Sequence, residues 1–281
     1  MRKDGWVLLT VAASLLAGCG GAAEDSFLSE SRKANGLVII LPGIEGESPM
    51  NHDIRNGLLA AGVGYALPIY NWGRPVPGLG LLLNQVDFIG NRIEASKISS
   101  MIVQYQDTYP GKPVYLVGHS GGGGVAVFAA EGLPEGRKVD GLVLLSASIS
   151  SGYDLTKALS HTKNGLVNFF NESDIALLGI GTAVVGNVDG VHGPSAGRTG
   201  FDRPSGDDRA EKAEAYRKVY EVPLTMLTAG DDDAHVAATR SSFVMSSVAP
   251  WVLSGQWPAG GAHLAGVPAK PSRSASLAQR Q

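Results

Sequence analysis

Val114-Tyr115-Leu116-Val117-Gly118-His119-Ser120-Gly121-Gly122 carries a serine out of an apolar, strand-like run and into a turn, with a glycine two residues before it and another two residues after. A strand, a sharp reversal and a helix start force the serine into backbone angles that only very small neighbours at those two positions permit. The stretch Gly123 to Glu131 reads as the helix that follows. Its N-terminal N–H groups turn toward Ser120, where a developing negative charge would be stabilised. Other glycine-rich turns cap helices or hold phosphates. A Walker loop, however, needs Lys followed by Ser or Thr after its glycines, and a dinucleotide fingerprint needs G-x-G-x-x-G after a first strand. Neither pattern is present, so the segment reads as a nucleophile elbow.

The two ends of the 281-residue chain read differently from its middle. Met1-Arg2-Lys3 leads into an apolar stretch from Trp6 to Ala17 and then into Leu16-Ala17-Gly18-Cys19. Those 12 residues are short of the roughly 20 that cross a bilayer as a helix, but they suit the h-region of an export signal. Leu-Ala-Gly-Cys resembles the processing site of bacterial lipoproteins, which implies lipidation of Cys19, removal of residues 1–18 and a place in the bacterial cell envelope. Cys19 is the only cysteine, so no disulfide is expected within the chain. Residues 19–35 read as a lipidated flexible tether, 36–256 as the folded domain and 267–281, rich in Pro, Ser, Ala and Gln, as a disordered tail. The full chain has 23 basic and 26 acidic residues; removing 1–18 takes away Arg2, Lys3 and Asp4, leaving 21 and 25 and a net charge of −4. That balance carries no nucleic-acid footprint and no polybasic membrane patch, so membrane attachment would rest on acyl chains.

Gly118-His119-Ser120-Gly121-Gly122 after a buried strand resembles the elbow of the α/β-hydrolase superfamily. The expected fold is α/β: a shortened, mostly parallel sheet of about six strands with helices on both faces. The strands are read at Leu37–Leu41, Tyr65–Tyr70, Pro113–Val117, Gly141–Leu145, Leu166–Phe170 and Pro223–Thr228. Helices are read at Asp53–Ala61, Arg92–Tyr109, Gly123–Glu131, Tyr153–Leu159 and Arg209–Tyr220. Two stretches break the alternation, 71–85 and the glycine-rich insert 177–206, and both are expected to rim or cover the site.

A serine hydroxyl needs a histidine base and an acid that fixes the base's tautomer. The resemblance implies the order Ser, acid, His, with the acid after the sixth or seventh strand and the histidine after the eighth. That points to Ser120, His235 and Asp174, with the N–H groups of Gly121 and Ile44 as the oxyanion hole. His263 is an alternative base, fed by Asp232, and Asp154 is an alternative acid, although its place before Leu155 suits a helix cap. Asp231-Asp232-Asp233 near His235 lack partner ligands at a recognisable spacing, so no metal and no cofactor is expected. The expected chemistry is hydrolysis of a carboxylic ester or thioester, with a small-molecule or lipid acyl substrate, through an acyl-enzyme. An acyltransferase, an amidase or peptidase, or a non-catalytic envelope binding module stay open as alternatives. Oligomeric state is not legible.

Overall fold

Five-residue runs of Val, Leu and Ile without polar alternation suit strands buried on both faces, as in a parallel sheet covered by helices on each side. The computed structural model describes residues 26–73, 87–174, 186–204, 209–224 and 235–258. Its strands are β1 (Leu37–Leu41), β2 (Val114–His119), β3 (Gly141–Leu145), β4 (Leu166–Phe170) and β5 (Val219–Pro223), parallel throughout and ordered β1-β2-β3-β4-β5. The helices are α1 (Glu30–Lys33), α2 (Pro49–Ala60), α3 (Phe88–Thr108), α4 (Gly121–Glu131), α5 (Thr156–Ser160), α6 (Ala196–Thr199) and α7 (Arg209–Tyr216). A 3₁₀ turn (Ala237–Thr239) and a helical run over 241–253, with a π segment at Val244–Val248, follow.

Successive strand residues divide between two cores. Leu37, Ile39 and Leu41 join Leu116, Val125 and Phe128 beneath α3 and α4, whereas Val38 and Ile40 join Val117, Ile54 and Trp251 on the opposite face. Each fully buried Leu, Ile or Val contributes roughly 1.5–3 kcal/mol, so both layers are needed.

Among the described residues the sheet has five strands rather than six, and the reason lies in one residue. Tyr65–Tyr70 lies beside β1 but pairs only through the isolated bridges Leu37↔Ala66 and Ile40↔Ile69. Ala66 and Tyr70 donate their N–H groups to Gly36 and Ile40, and Val38 and Ile40 donate to Ala66 and Pro68. The rung between Ala66 and Tyr70 would be a donation from residue 68, and proline has no N–H to give. The last strand also sits earlier than expected. The helix expected over Arg209–Tyr220 ends at Tyr216, and β5 occupies Val219–Pro223; residues 225–228 of the expected strand lie outside the described residues.

Two further expectations change. Residues 26–35, read as part of the tether, pack onto the domain: the Leu67 N–H donates to the Phe27 carbonyl, Arg32 donates to the Val63 and Tyr65 carbonyls, and the Tyr105 hydroxyl donates to the Lys33 carbonyl. The described part of the insert, 186–204, is stitched into the body of the fold rather than laid over a site. Val188, Ala196 and Gly197 donate to the carbonyls of Ser148, Ile149 and Ala147, and Asn168 of β4 donates to the Ala196 carbonyl. Among the described residues no helix is long and apolar enough to cross a membrane. Residues 1–25, including Cys19, and 259–281 lie outside the described residues.

Candidate active site

At the end of β2 the chain turns at Ser120, which has φ 51° and ψ −121° and directly precedes α4. A non-glycine residue in that region costs on the order of 1–3 kcal/mol and persists only where its surroundings enforce it. The flanking glycines show how they do so. A Cβ on Gly118 would lie 2.4 Å from the Gly122 carbonyl oxygen, and one on Gly122 would lie 2.3 Å from the carbonyl oxygens of both Leu41 and Pro42. These are backbone atoms that cannot swing away, so β1, β2 and α4 meet at a distance only glycine allows. Three main-chain bonds pin the serine itself: its N–H donates to the Leu145 carbonyl, and its carbonyl accepts from the N–H groups of Gly123 and Ser148.

The turn after β1 faces this elbow. Trp72, 3% exposed, donates its indole N–H to the Pro42 carbonyl at 2.7 Å. A Cβ on Gly121 would lie 3.0 Å from the Ile44 side chain and 3.1 Å from the Trp72 ring, so the two residues expected to form the oxyanion hole are neighbours. As the first residue of α4, Gly121 has an N–H with no intrahelical partner.

Asp174 and His235, 61 residues apart, meet: His235 Nδ1 lies 2.6 Å from Asp174 Oδ2, with both residues buried. Asp174 follows β4 in a short turn where the Ser173 N–H donates to the Asn171 side chain and the Asp174 N–H to the Asn171 carbonyl. An N–H on Nδ1 donating to the carboxylate leaves Nε2 as the basic nitrogen. His119, fully buried beside the elbow serine, donates from Nε2 to the His235 carbonyl across 3.3 Å, and the two rings lie 4.9 Å apart. Glu45 Oε1 stands 3.9 Å from His119 Nδ1, an ion-pair distance rather than a hydrogen bond. Burial pushes the His119 imidazole below its ordinary pKa, and His235 adds to that against the pull of Glu45. Burial works against the charge on Glu45, but His119 and then His235 outweigh it and hold that carboxyl below the usual carboxylate range.

The other candidates lie elsewhere or outside the described residues. Asp154 accepts from the Thr156 N–H at the start of α5 and pairs with Lys212 at 2.8 Å. Burial opposes its charge, yet those partners bring its carboxyl down to about 2. Asp231, Asp232, Asp233 and His263 lie outside the described residues. Sequence reasoning passed over His119, Glu45 and Trp72. The only available signal was proximity to the elbow and to the turn after β1, since contacts over 30 to 116 residues leave no local pattern.

The profile of the alpha/beta hydrolase fold matches residues 36–179, just over half of the chain. No curated protein matches. Among solved structures, the chain is similar to the dienelactone hydrolase of Anabaena variabilis ATCC 29413, with 16% identity, 78% of this chain and 86% of that one covered, and a TM-score of 0.46. It is also similar to Aspergillus fumigatus lipase B, with 15% identity, coverage of 83% and 55%, and a TM-score of 0.45. The NocB thioesterase domain in covalent complex with a fluorophosphonate nocardicin G analogue gives 16% identity, coverage of 79% and 94%, and a TM-score of 0.41. These likenesses are distant, and the assignment rests on the sequence profile, which spans β1 to β4 of the parallel sheet: the chain belongs to the α/β-hydrolase fold family and is an α/β-hydrolase enzyme.

Proposed function

We propose that this enzyme is a serine hydrolase of carboxylic esters or thioesters, with Ser120 as nucleophile, His235 as base and Asp174 as the acid that orients it. The observation that carries the reading is the 2.6 Å contact between His235 Nδ1 and Asp174 Oδ2, buried behind an elbow whose serine is held at φ 51°. Ser120 Oγ attacks the substrate carbonyl carbon, and its proton passes to His235 Nε2. The charge on the former carbonyl oxygen falls to the N–H groups of Gly121 and Ile44; one such donor is worth about 2.7–4 kcal/mol in the transition state. The imidazolium gives its proton to the departing alcohol or thiol. Water, deprotonated in turn by His235, then attacks the acyl-serine and releases the acid and the free hydroxyl. An alcohol or amine acceptor in place of water would make the same intermediate serve acyl transfer, and an amide substrate would make the enzyme an amidase or peptidase. The acyl donor is a small molecule or a lipid.

The test is covalent labelling of residues 20–281 by a fluorophosphonate, followed by peptide mapping. Labelling confined to Ser120 supports an activated serine; a folded protein that stays unlabelled overturns the reading.

The same proposal places the enzyme in the bacterial cell envelope. The apolar stretch ending in Leu16-Ala17-Gly18-Cys19 supports export, cleavage before Cys19 and acylation of its thiol. Each buried acyl CH₂ contributes about 0.8 kcal/mol to membrane attachment. Cys19→Ser is expected to abolish metabolic labelling by a fatty acid; undiminished labelling would rule the anchor out.

A further inference from the structure

We propose that His119 and Glu45 form a supporting layer behind the base, in which His119 holds the main chain of His235 and Glu45 supplies a negative charge that favours its protonated form. The inference rests on the assignment of His235 as the base.

His119 directly precedes the elbow serine on β2, so a single strand end carries both the nucleophile and the anchor of the base. Its Nε2–H reaches the His235 carbonyl while its ring packs against the His235 ring, so the imidazole is gripped from the backbone as well as from Asp174. Nucleophile and base must hold their separation closely, because a displacement of about 1 Å costs on the order of 10²-fold in rate. The bond to the carbonyl also fixes the tautomer: with the proton on Nε2, the Nδ1 lone pair of neutral His119 faces Glu45. Among the described residues the buried Nδ1 has no hydrogen-bond partner, and Glu45 Oε1 is the charged atom that stands 3.9 Å from it.

Among the described residues, three charged or titratable groups are coupled to His235: Asp174 from the turn after β4, His119 from the end of β2 and Glu45 from the turn after β1.

The experiment measures the rate of fluorophosphonate labelling of Ser120 against pH in the wild type and in the Glu45→Gln, His119→Gln and His119→Leu variants, with thermal unfolding of each as a folding control. Removing a carboxylate makes the imidazolium less favourable, so in Glu45→Gln the midpoint of the acid limb moves to lower pH and the plateau rate falls. His119→Leu labels roughly 10- to 100-fold more slowly. His119→Gln keeps an N–H donor and recovers part of that loss. A midpoint in Glu45→Gln equal to that of the wild type overturns the electrostatic role. A folded His119→Leu that labels at the wild-type rate, or a His119→Gln no faster than His119→Leu, overturns the positioning role. A loss of stability alone does not move a titration midpoint, so the two effects separate. If the wild type is not labelled at Ser120, or if His235→Ala is labelled as fast as the wild type, the assignment of nucleophile and base fails and takes this inference with it.

Discussion

Two neighbouring strands, β2 and β3, each hand a serine to a left-handed turn, Ser120 at φ 51° and Ser146 at φ 47°, and the surroundings of the two could hardly differ more. Ser120 stands 8% exposed at the head of α4, with Gly118 and Gly122 clearing its flanks. Ser146 is fully buried, its hydroxyl has no hydrogen-bond partner among the described residues, and Gly197 of α6 packs against its main chain so closely that a Cβ there would lie 2.2 Å from the Ser146 carbonyl carbon. After Ser146 the chain continues extended and is bonded to the 186–204 segment instead of starting a helix. Backbone strain at a strand end thus says nothing of chemistry by itself. What separates the two serines in the structure is access and a helix N-terminus, which Ser120 has and Ser146 lacks.

The sharpest way to break this comparison is to delete each hydroxyl. Ser120→Ala is expected to abolish turnover and fluorophosphonate labelling, while Ser146→Ala keeps both; activity that survives the first or vanishes with the second would reverse the assignment. Next in size is the acid. Asp174→Asn should lower kcat by about 10⁴-fold by leaving His235 without its tautomer-fixing acceptor, whereas Asp154→Asn should leave kcat within the scatter of the wild type. Comparable losses in both variants would show that the acid is shared.

The glycines come third. Gly122→Ala forces a Cβ into two carbonyl oxygens and Gly197→Ala forces one into the main chain at Ser146 and Ala147, so each should lose about 1–3 kcal/mol or more of stability in chemical denaturation. Only Gly122→Ala should also displace the nucleophile and lower the rate of labelling in the molecules that stay folded.

A pH effect is smaller. The folded-state pKa of His119 is depressed by burial, so the unfolded chain binds the proton more readily. Its contribution to stability is fully present above the ordinary histidine value of about 6.5 and is lost as pH falls below that value through the lower folded-state pKa. His119→Gln should therefore flatten the acid side of the stability profile measured by denaturation. The smallest effect belongs to Ser146→Gly, which relieves a left-handed non-glycine residue and removes an orphaned hydroxyl, for a gain of about 1 kcal/mol read as a rise in Tm.

The elbow was legible because its requirement is local: glycine at 118 and 122 is dictated by contacts within and just beyond one turn, and the sequence wears that requirement openly. The place of Asp174 after a strand was legible for a related reason, since Leu166–Phe170 forms the strand expected of it and the carboxylate follows in the adjoining turn. Pro68 could have told that Tyr65–Tyr70 would fail as a strand, because a missing donor is a property of the residue itself. The misplacement of β5 came from giving its first residues to the preceding helix, whose charged pattern runs into Val219 without a glycine or proline to mark the end. His119 and Glu45 carried no mark at all. A histidine inside the elbow and a glutamate in a glycine-rich turn read as bystanders until the sheet brings β1, β2 and the segment at His235 to one place.

By itself, the sequence determined the elbow and the parallel-sheet class, because each rests on steric or hydrophobic rules that operate over a few neighbouring residues. Only the tertiary structure decided which strained serine is reachable, which carboxylate stands against His235, and that Glu45 acts on His119 rather than on solvent. Those are facts of distance between segments far apart in the chain, and electrostatics and packing depend on that distance rather than on order along the backbone.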